Sequence, residues 1–168
     1  MTAKITLAMT ILVASLSMSA AVAFPEGAPW GAANPDAAEH CGSCHFGYDA
    51  TLDSNTISII GLPEVAIPGQ AYELQVSFDD AEAVIAGFQS LATAGEFQSE
   101  TADIEYLGAA IRSTKPAPAG TGFQWTLTWT APELSDARVI IYVAVVAGND
   151  DLSPFGDRAF FRTFETRL

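Results

Sequence analysis

The stretch Tyr72-Glu73-Leu74-Gln75-Val76-Ser77-Phe78 decides the fold, because its apolar and polar residues alternate strictly. Alternation with a period of two places one set of side chains on each face of an extended strand. The run from residue 123 to residue 130 repeats the pattern, and its large apolar residues on one face are Phe123, Trp125, Leu127 and Trp129. Both stretches therefore predict strands with one buried face.

On either side of these two strands, the chain from Ser54 onward consists of short runs rich in β-branched and aromatic residues, separated by turn signals. The further strands predicted are residues 56–60, 84–94, 104–107, 109–112, 138–147 and 158–164. The Pro- and Gly-containing stretch 114–122 is predicted to be a flexible connection. Many short strands without a long amphipathic helix indicate an all-β fold, an antiparallel β-sandwich of immunoglobulin-like or fibronectin-like architecture.

The first 23 residues have the features of a secretory signal peptide. Lys4 precedes an apolar run, and the leader finishes Ala21-Val22-Ala23, which predicts cleavage before Phe24. The chain then divides into a signal peptide (1–23), a segment that holds both cysteines and both histidines (24–53), and a sandwich (54–168). No later run approaches the roughly 20 apolar residues of a spanning helix, so we expect a periplasmic or extracellular protein without a membrane span.

The mature chain is strongly acidic. One of the seven Lys and Arg residues lies in the leader, which leaves six against 20 Asp and Glu, a formal charge of −14. This charge argues against a nucleic-acid partner and favours a basic one, although simple solubility is an equally good explanation.

The segment 24–53 is predicted to be mostly irregular because it is rich in Ala, Gly, Pro and Asp. One short helix is expected at residues 35–40, with Asn34 as N-cap and Pro35 at the first helical position. Three aromatic residues in this segment are expected either to shield a bound group or to anchor the segment on the sandwich: Trp30, Phe46 and Tyr48.

The pentapeptide Cys41-Gly42-Ser43-Cys44-His45 matches the C-x-x-C-H motif of c-type haem attachment. Two thiols three residues apart can both reach the haem vinyl groups, and the following imidazole can then bind the iron. The motif predicts one covalent haem c, with Cys41 and Cys44 as thioether anchors and His45 as the proximal iron ligand. The predicted function is that of a monohaem c-type cytochrome, a one-electron carrier rather than an enzyme, which acts with a redox partner protein of basic surface. A haem sensor or peroxidase-like enzyme with an open distal site is the other haem function that the sequence leaves open.

Other chemistry remains open at the same residues. The two cysteines can instead form a disulfide or stay as a free dithiol, although so short a loop contributes little stability. A zinc site would need four ligands within six residues, His40, Cys41, Cys44 and His45, unlike the usual separated pairs. A calcium site is a further hypothesis, in an acidic loop that contains Asn149, Asp150, Asp151 and Asp157.

The distal iron ligand of such a haem cannot be methionine, because Met1, Met9 and Met18 all lie in the leader. The candidates are His40 and the α-amino group of Phe24, and the remaining alternatives are Lys115, water or an empty position. Here the N-terminal third of the mature chain resembles cytochrome f, through Phe24-Pro25, the haem motif and the passage 62–68. That resemblance implies that the backbone amine of Phe24 binds the iron.

The sandwich carries a second resemblance, spread over several short passages. These are Ile67-Pro68-Gly69-Gln70-Ala71-Tyr72, Ala86-Gly87-Phe88-Gln89, Gly95-Glu96-Phe97, Glu105-Tyr106, Trp129-Thr130-Ala131-Pro132, Asn149-Asp150 and Gly156-Asp157. Together they resemble the bacterial reelin-domain and choice-of-anchor V proteins, whose members often carry a C-x-x-C-H before the sandwich. The resemblance implies a sandwich fold and export. It also supplies the competing function, an extracellular binding or adhesion module with a Cys41–Cys44 disulfide and no haem.

Overall fold

A computed structural model of the chain describes residues 27–120, 122–134 and 136–168. The predicted signal peptide, its cleavage site and Phe24 lie outside the described residues. Within the described ranges the chain forms one short helix and ten strands. These are α1 (Cys41–Cys44), β1 (Ile57–Ile60), β2 (Ala71–Phe78), β3 (Ile85–Ala92), β4 (Glu96–Gln98), β5 (Ile104–Leu107), β6 (Ala110–Ser113), β7 (Ala117–Pro118), β8 (Phe123–Thr130), β9 (Arg138–Gly148) and β10 (Arg158–Arg167).

The strands form two antiparallel sheets. One has the order β1-β2-β8-β4, and the other has the order β10-β9-β3-β6-β5, with β7 also paired to β3. The two stretches of alternating residues, 72–78 in β2 and 123–130 in β8, are neighbours in the sheet, since Leu74 lies opposite Leu127. The predicted all-β sandwich is therefore confirmed.

The main core lies between the two sheets and is built from the inward set of each alternating strand. Its fully buried large side chains include Trp129, Phe78, Phe97, Leu74, Leu127 and Ile141. Aromatic rings meet across the sheets, as where Phe88 of β3 lies 4.7 Å from Trp125 of β8 between ring centroids. The periodic Trp and Phe residues are thus core residues, as their alternation predicts.

The outer face of the six-stranded sheet is covered by the N-terminal segment, which creates a second, smaller core. Its buried members are Ala32, Ala33, Cys41, Ala144, Ala159 and Phe161. Buried Gln89 of β3 fixes the segment: its side-chain oxygen accepts from the Ala33 amide at 3.1 Å, and its side-chain nitrogen donates to the Pro29 carbonyl at 2.8 Å. The long polar side chain on an otherwise apolar sheet face therefore has both groups satisfied.

The outer edge of β10 is also covered by preceding chain. Isolated parallel bridges join Thr51 to Phe160 within β10 and Phe46 to Phe155 just before it, so part of this edge does not present unpaired backbone groups to solvent. At the opposite side of the sheet, the guanidinium of Arg112 lies 4.2 Å from the ring centroid of Trp30. Trp30 and Phe46 thus serve as anchors of the segment, whereas Tyr48 is exposed.

Three local predictions are wrong or incomplete. Residues 35–40 form turns rather than a helix, because the Asn34 side chain accepts from the Asp36 amide at 3.0 Å and closes an Asx turn; the only helix in the described ranges follows at Cys41–Cys44. The short strands β4 and β7 lie in stretches not predicted as strands, and β7 falls within the predicted flexible connection.

No helix in the described parts of the chain is long and apolar enough to cross a membrane.

Candidate functional site

The predicted haem motif forms α1 and the residue after it. The Ser43 hydroxyl accepts from the His40 amide at 3.2 Å, and the His45 amide donates to the Cys41 carbonyl at 3.1 Å. These contacts close a single helical turn that lies against β9 and β10. The motif is therefore attached to the sheet, with Cys41 as its member of the second core.

Cys41 points into that core and is only 6% exposed. Burial raises the pKa of its thiol from 9.0 to about 12, because the thiolate would lose its hydration there. Both cysteines are free thiols in this structure, and Cys44 is the more accessible one. Cys41 therefore lacks the lowered pKa of a reactive, thioredoxin-type cysteine.

His45 forms a long-range polar contact between the motif and the C-terminal part of the chain. Its Nδ1 lies 2.6 Å from a carboxylate oxygen of Asp157, at the start of β10, and the Asp157 side chain is buried. The contact ties the N-terminal segment to the far end of the chain. It also fixes the orientation of the imidazole, and Nε2 is the ring nitrogen that takes no part in this contact.

His40, the other imidazole, lies at the N-terminal end of α1. Its ring meets Phe161 edge-on at 5.6 Å between centroids, and its buried Nδ1 has no hydrogen-bond partner within the described residues. Lys115, the third distal candidate, is 2.9 Å from the Asp103 carboxylate. The structure thus gives His40 and Lys115 different neighbours: the His40 ring packs on Phe161, and the Lys115 ammonium pairs with Asp103.

A cavity of about 180 Å³ opens beside His45, at the end of the six-stranded sheet. Its floor is the outer face of β3 and β9, where Ile85, Val146 and Gly148 lie, and Ala28 and Cys41 border it on the side of the N-terminal segment. Asp157 and the residues 149–153 close the other side. We call this space the sheet-end cavity.

The loop between β9 and β10 forms the rim of the sheet-end cavity. Side-chain oxygens of Asn149 and Asp151 accept backbone amides two residues later, at 3.2 and 2.8 Å. Asp150 and Leu152 adopt left-handed backbone conformations, with φ of 63° and 62°. Leu152 is 95% exposed and Phe155 is 60% exposed, so the loop presents two large apolar side chains to solvent. We call residues 149–155 the rim loop.

The sequence motif identified Cys41, Cys44 and His45 as site residues. It did not reveal that Asp157 is the partner of His45. Asp157 was grouped with the acidic loop as a calcium ligand, whereas its carboxylate binds His45. In the described parts of the chain, no group of three or more His, Cys, Asp or Glu side chains is arranged to hold a metal ion, so the zinc and calcium hypotheses find no site there.

The described residues also do not form an enclosing haem pocket. Pockets that bury most of a drug-sized ligand have volumes of roughly 300–1,000 Å³, whereas the sheet-end cavity beside His45 measures about 180 Å³. Cys41 packs among the small residues of the second core. The cavity beside His45 is therefore smaller than such ligand pockets, and this comparison does not test covalent attachment of a haem.

Comparison with solved structures identifies proteins of similar fold. The structure is similar to the crystal structure of the reelin-N domain of F-spondin, with a TM-score of 0.55 and 18% identity, over 70% of this chain and 91% of that one. It is also similar to the human F-spondin reeler domain, in one structure with a TM-score of 0.52 and 16% identity over 70% and 93% of the chains. A second human structure gives 0.50 and 17% over 70% and 94%. No protein-family profile and no curated protein sequence matches the chain.

These findings define a reelin-like β-sandwich and correct one prediction. The description of the protein as a metal-binding, electron-transferring cytochrome is wrong on two counts: the similar structures are reelin domains, and no metal-binding cluster occurs among the described residues. A redox partner has no support either. Covalent attachment of haem c at Cys41 and Cys44, with His45 and either Phe24 or His40 on the iron, is a modification that no contact here tests, and it stays a prediction.

Proposed function

We propose that the chain is an exported binding module, a reelin-like sandwich that attaches to a partner protein through the rim loop. Export is supported by the predicted leader, and the binding role by the resemblance to reelin domains. The observation that carries the proposal is the exposure of Leu152 in a loop that is otherwise fixed by its own hydrogen bonds.

The exposed side chain of Leu152 can contribute to the free energy of association. Burying a leucine side chain on association contributes roughly 1.5–3 kcal/mol, and Phe155 adds a second large apolar surface on the same loop. The hydrogen bonds of Asn149 and Asp151 order the loop before binding, so little conformational entropy is lost on association. A preorganised apolar loop is thus suited to serve as the centre of an interface.

The charge of the chain indicates the kind of partner. Asp150 and Asp151 flank Leu152, and the predicted mature chain has a formal charge of −14. An interface with an apolar centre and an acidic border is complementary to a protein surface with an apolar patch and basic residues around it. The partner we propose is therefore a basic protein surface in the periplasm or outside the cell.

Equilibrium binding of the labelled, exported protein to intact cells or cell envelopes of the host tests this proposal. Binding should saturate, be competed by unlabelled protein, and weaken about tenfold or more in Leu152→Ser. Leu107→Ser is the matched control, because Leu107 is 61% exposed on the edge strand β5, outside the rim loop. Absence of saturable binding, or equal weakening by both substitutions, would show that the rim loop is not the binding surface.

A further inference from the structure

The floor of the sheet-end cavity is kept open by the absence of a side chain at Gly148. This glycine has no positive φ, so its backbone conformation does not require glycine. A Cβ placed there would lie 3.0 Å from the Ile85 side chain and 3.3 Å from Oδ1 of Asp157. Gly148 therefore leaves room beside the Asp157 carboxylate.

Asp157 is a buried carboxylate that the protein only partly satisfies. It is 6% exposed, its Oδ2 contacts His45, and its Oδ1 is the oxygen nearest the space left by Gly148. A carboxylate can accept about four hydrogen bonds. One oxygen of a buried acid thus borders the sheet-end cavity with capacity to accept a donor from a ligand.

Apart from His45, which contacts Oδ2 of Asp157, the nearby Lys and Arg residues in the described chain pair with other acids. Lys115 borders the cavity, but its ammonium is 2.9 Å from the Asp103 carboxylate. Arg158, next to Asp157 in sequence, pairs with Asp80 at 2.9 Å and with Glu82 at 3.0 Å. Among the described residues, neither Asp157 nor the cavity-lining acids of the rim loop have a Lys or Arg partner.

We propose that the sheet-end cavity binds a primary ammonium on a short aliphatic chain, such as a lysine side chain of the basic partner. The methylenes would lie against Ile85 and Val146, and the ammonium would donate to Asp157. A lysine head is a compact charge on a flexible four-carbon stem, which suits a narrow cavity better than a planar guanidinium. This inference rests on the proposed function, because it specifies which group of the partner enters beside the rim loop.

Titration of the ¹⁵N-labelled protein with n-hexylammonium, n-hexanol and hexanoate tests the inference by NMR in 0.15 M NaCl. Amide shifts should centre on Ile85, Gly148 and Asp157, with n-hexylammonium bound about tenfold more tightly than n-hexanol and hexanoate bound most weakly. Long-range attraction to the acidic surface is largely screened at this salt concentration, so a preference that persists indicates a carboxylate in contact with the ammonium. Equal affinity for n-hexylammonium and n-hexanol would reduce the cavity to an apolar one and overturn the inference.

Two variants and one control identify the site. Gly148→Ala should weaken n-hexylammonium binding by crowding Asp157, and Asp157→Asn should remove the preference over n-hexanol. Glu96→Gln, an exposed acid on β4 outside the cavity, should change neither. If Asp157→Asn does not fold, Gly148→Ala alone decides, and unchanged binding in it overturns the inference.

The outcome also separates this inference from the proposed function. If the host surface is bound through Leu152 while n-hexylammonium shows no preference, the rim loop binds and the lysine pocket is wrong. If n-hexylammonium binds as expected while Leu152→Ser has no effect on surface binding, the cavity is a small-ligand site and the proposed function is wrong.

Discussion

The imidazole Nδ1 of His45 lies 2.6 Å from a carboxylate oxygen of Asp157, across 112 residues of sequence. His45 follows α1, and Asp157 precedes β10, so this contact joins the N-terminal segment to the last strand of the six-stranded sheet. The same two residues border the sheet-end cavity. The contact therefore sets both the position of the segment and one wall of the cavity.

Removing the acceptor of this contact should destabilise the protein. Asp157→Ala leaves the His45 ring nitrogen without its partner, and a hydrogen bond that involves a charged group contributes about 1.5–3 kcal/mol. Urea unfolding should show a loss of that size, whereas the exposed acid variant Glu96→Ala should stay within about 0.5 kcal/mol of the wild type. Equal stability of Asp157→Ala and wild type would mean that the contact contributes nothing.

Stability at high pH should depend on Cys41. The thiol has a pKa of about 12 in the folded chain and 9.0 as its ordinary value, so the folded state holds the proton more tightly than the unfolded state. Its contribution is fully present below pH 9 and is lost as the pH rises toward 12, at a limiting slope of about 1.4 kcal/mol per pH unit. The difference in unfolding free energy between wild type and Cys41→Ala should fall over this range; a constant difference would contradict the buried thiol.

Arg112 should hold the start of the described chain against the sheet. Its guanidinium donates to the Ala28 carbonyl, pairs with Glu105 and lies over Trp30. Arg112→Gln should therefore speed hydrogen exchange at the Ala33 amide about tenfold or more, through local opening of the segment. Arg138→Gln, which breaks an exposed pair with Glu165, is the control. Unchanged exchange in Arg112→Gln would place the attachment elsewhere, for example on Gln89.

The chemical state of the two cysteines separates the binding module from the cytochrome. A binding module without haem, exported alongside cytochrome c maturation machinery, is expected to be colourless, with an intact mass of the bare chain or two hydrogens less for a Cys41–Cys44 disulfide. An added haem mass with a c-type pyridine haemochrome band, absent from Cys41→Ala/Cys44→Ala, would restore the cytochrome prediction. Mass spectrometry thus tests the assignment that the folded contacts leave untested.

The centre of the four-stranded sheet could be predicted because β2 and β8 each have eight residues with apolar side chains at alternate positions. β2 and β8 pair along their whole length, and burial of one face makes the alternation visible in the sequence. β4 and β7 could not be predicted, since three and two residues carry no period. The prediction of a helix at residues 35–40 is wrong because Asn34 suits both a helix cap and an Asx turn, and in the structure its side chain accepts from the Asp36 amide and closes the turn.

The candidate site was predictable only in its local part. Cys41, Cys44 and His45 stand out through a spacing of five residues, whereas Asp157 meets His45 solely because β9 and β10 bring the chain back. The openness of the floor at Gly148 depends on Ile85 of a neighbouring strand, which no local pattern reveals. Contacts of this kind follow from strand pairing and are absent from any short window of sequence.

Photo-cross-linking on intact host cells is the most direct test of attachment to a partner through the rim loop. The protein is exported with p-benzoylphenylalanine in place of Leu152 or, as the control, in place of Leu107, which is exposed outside the rim loop. If the rim loop binds the partner, we expect a discrete adduct from position 152 that excess unlabelled protein suppresses, and no adduct from position 107. No adduct at position 152, or the same adducts from both positions, would contradict a binding module that acts through the rim loop.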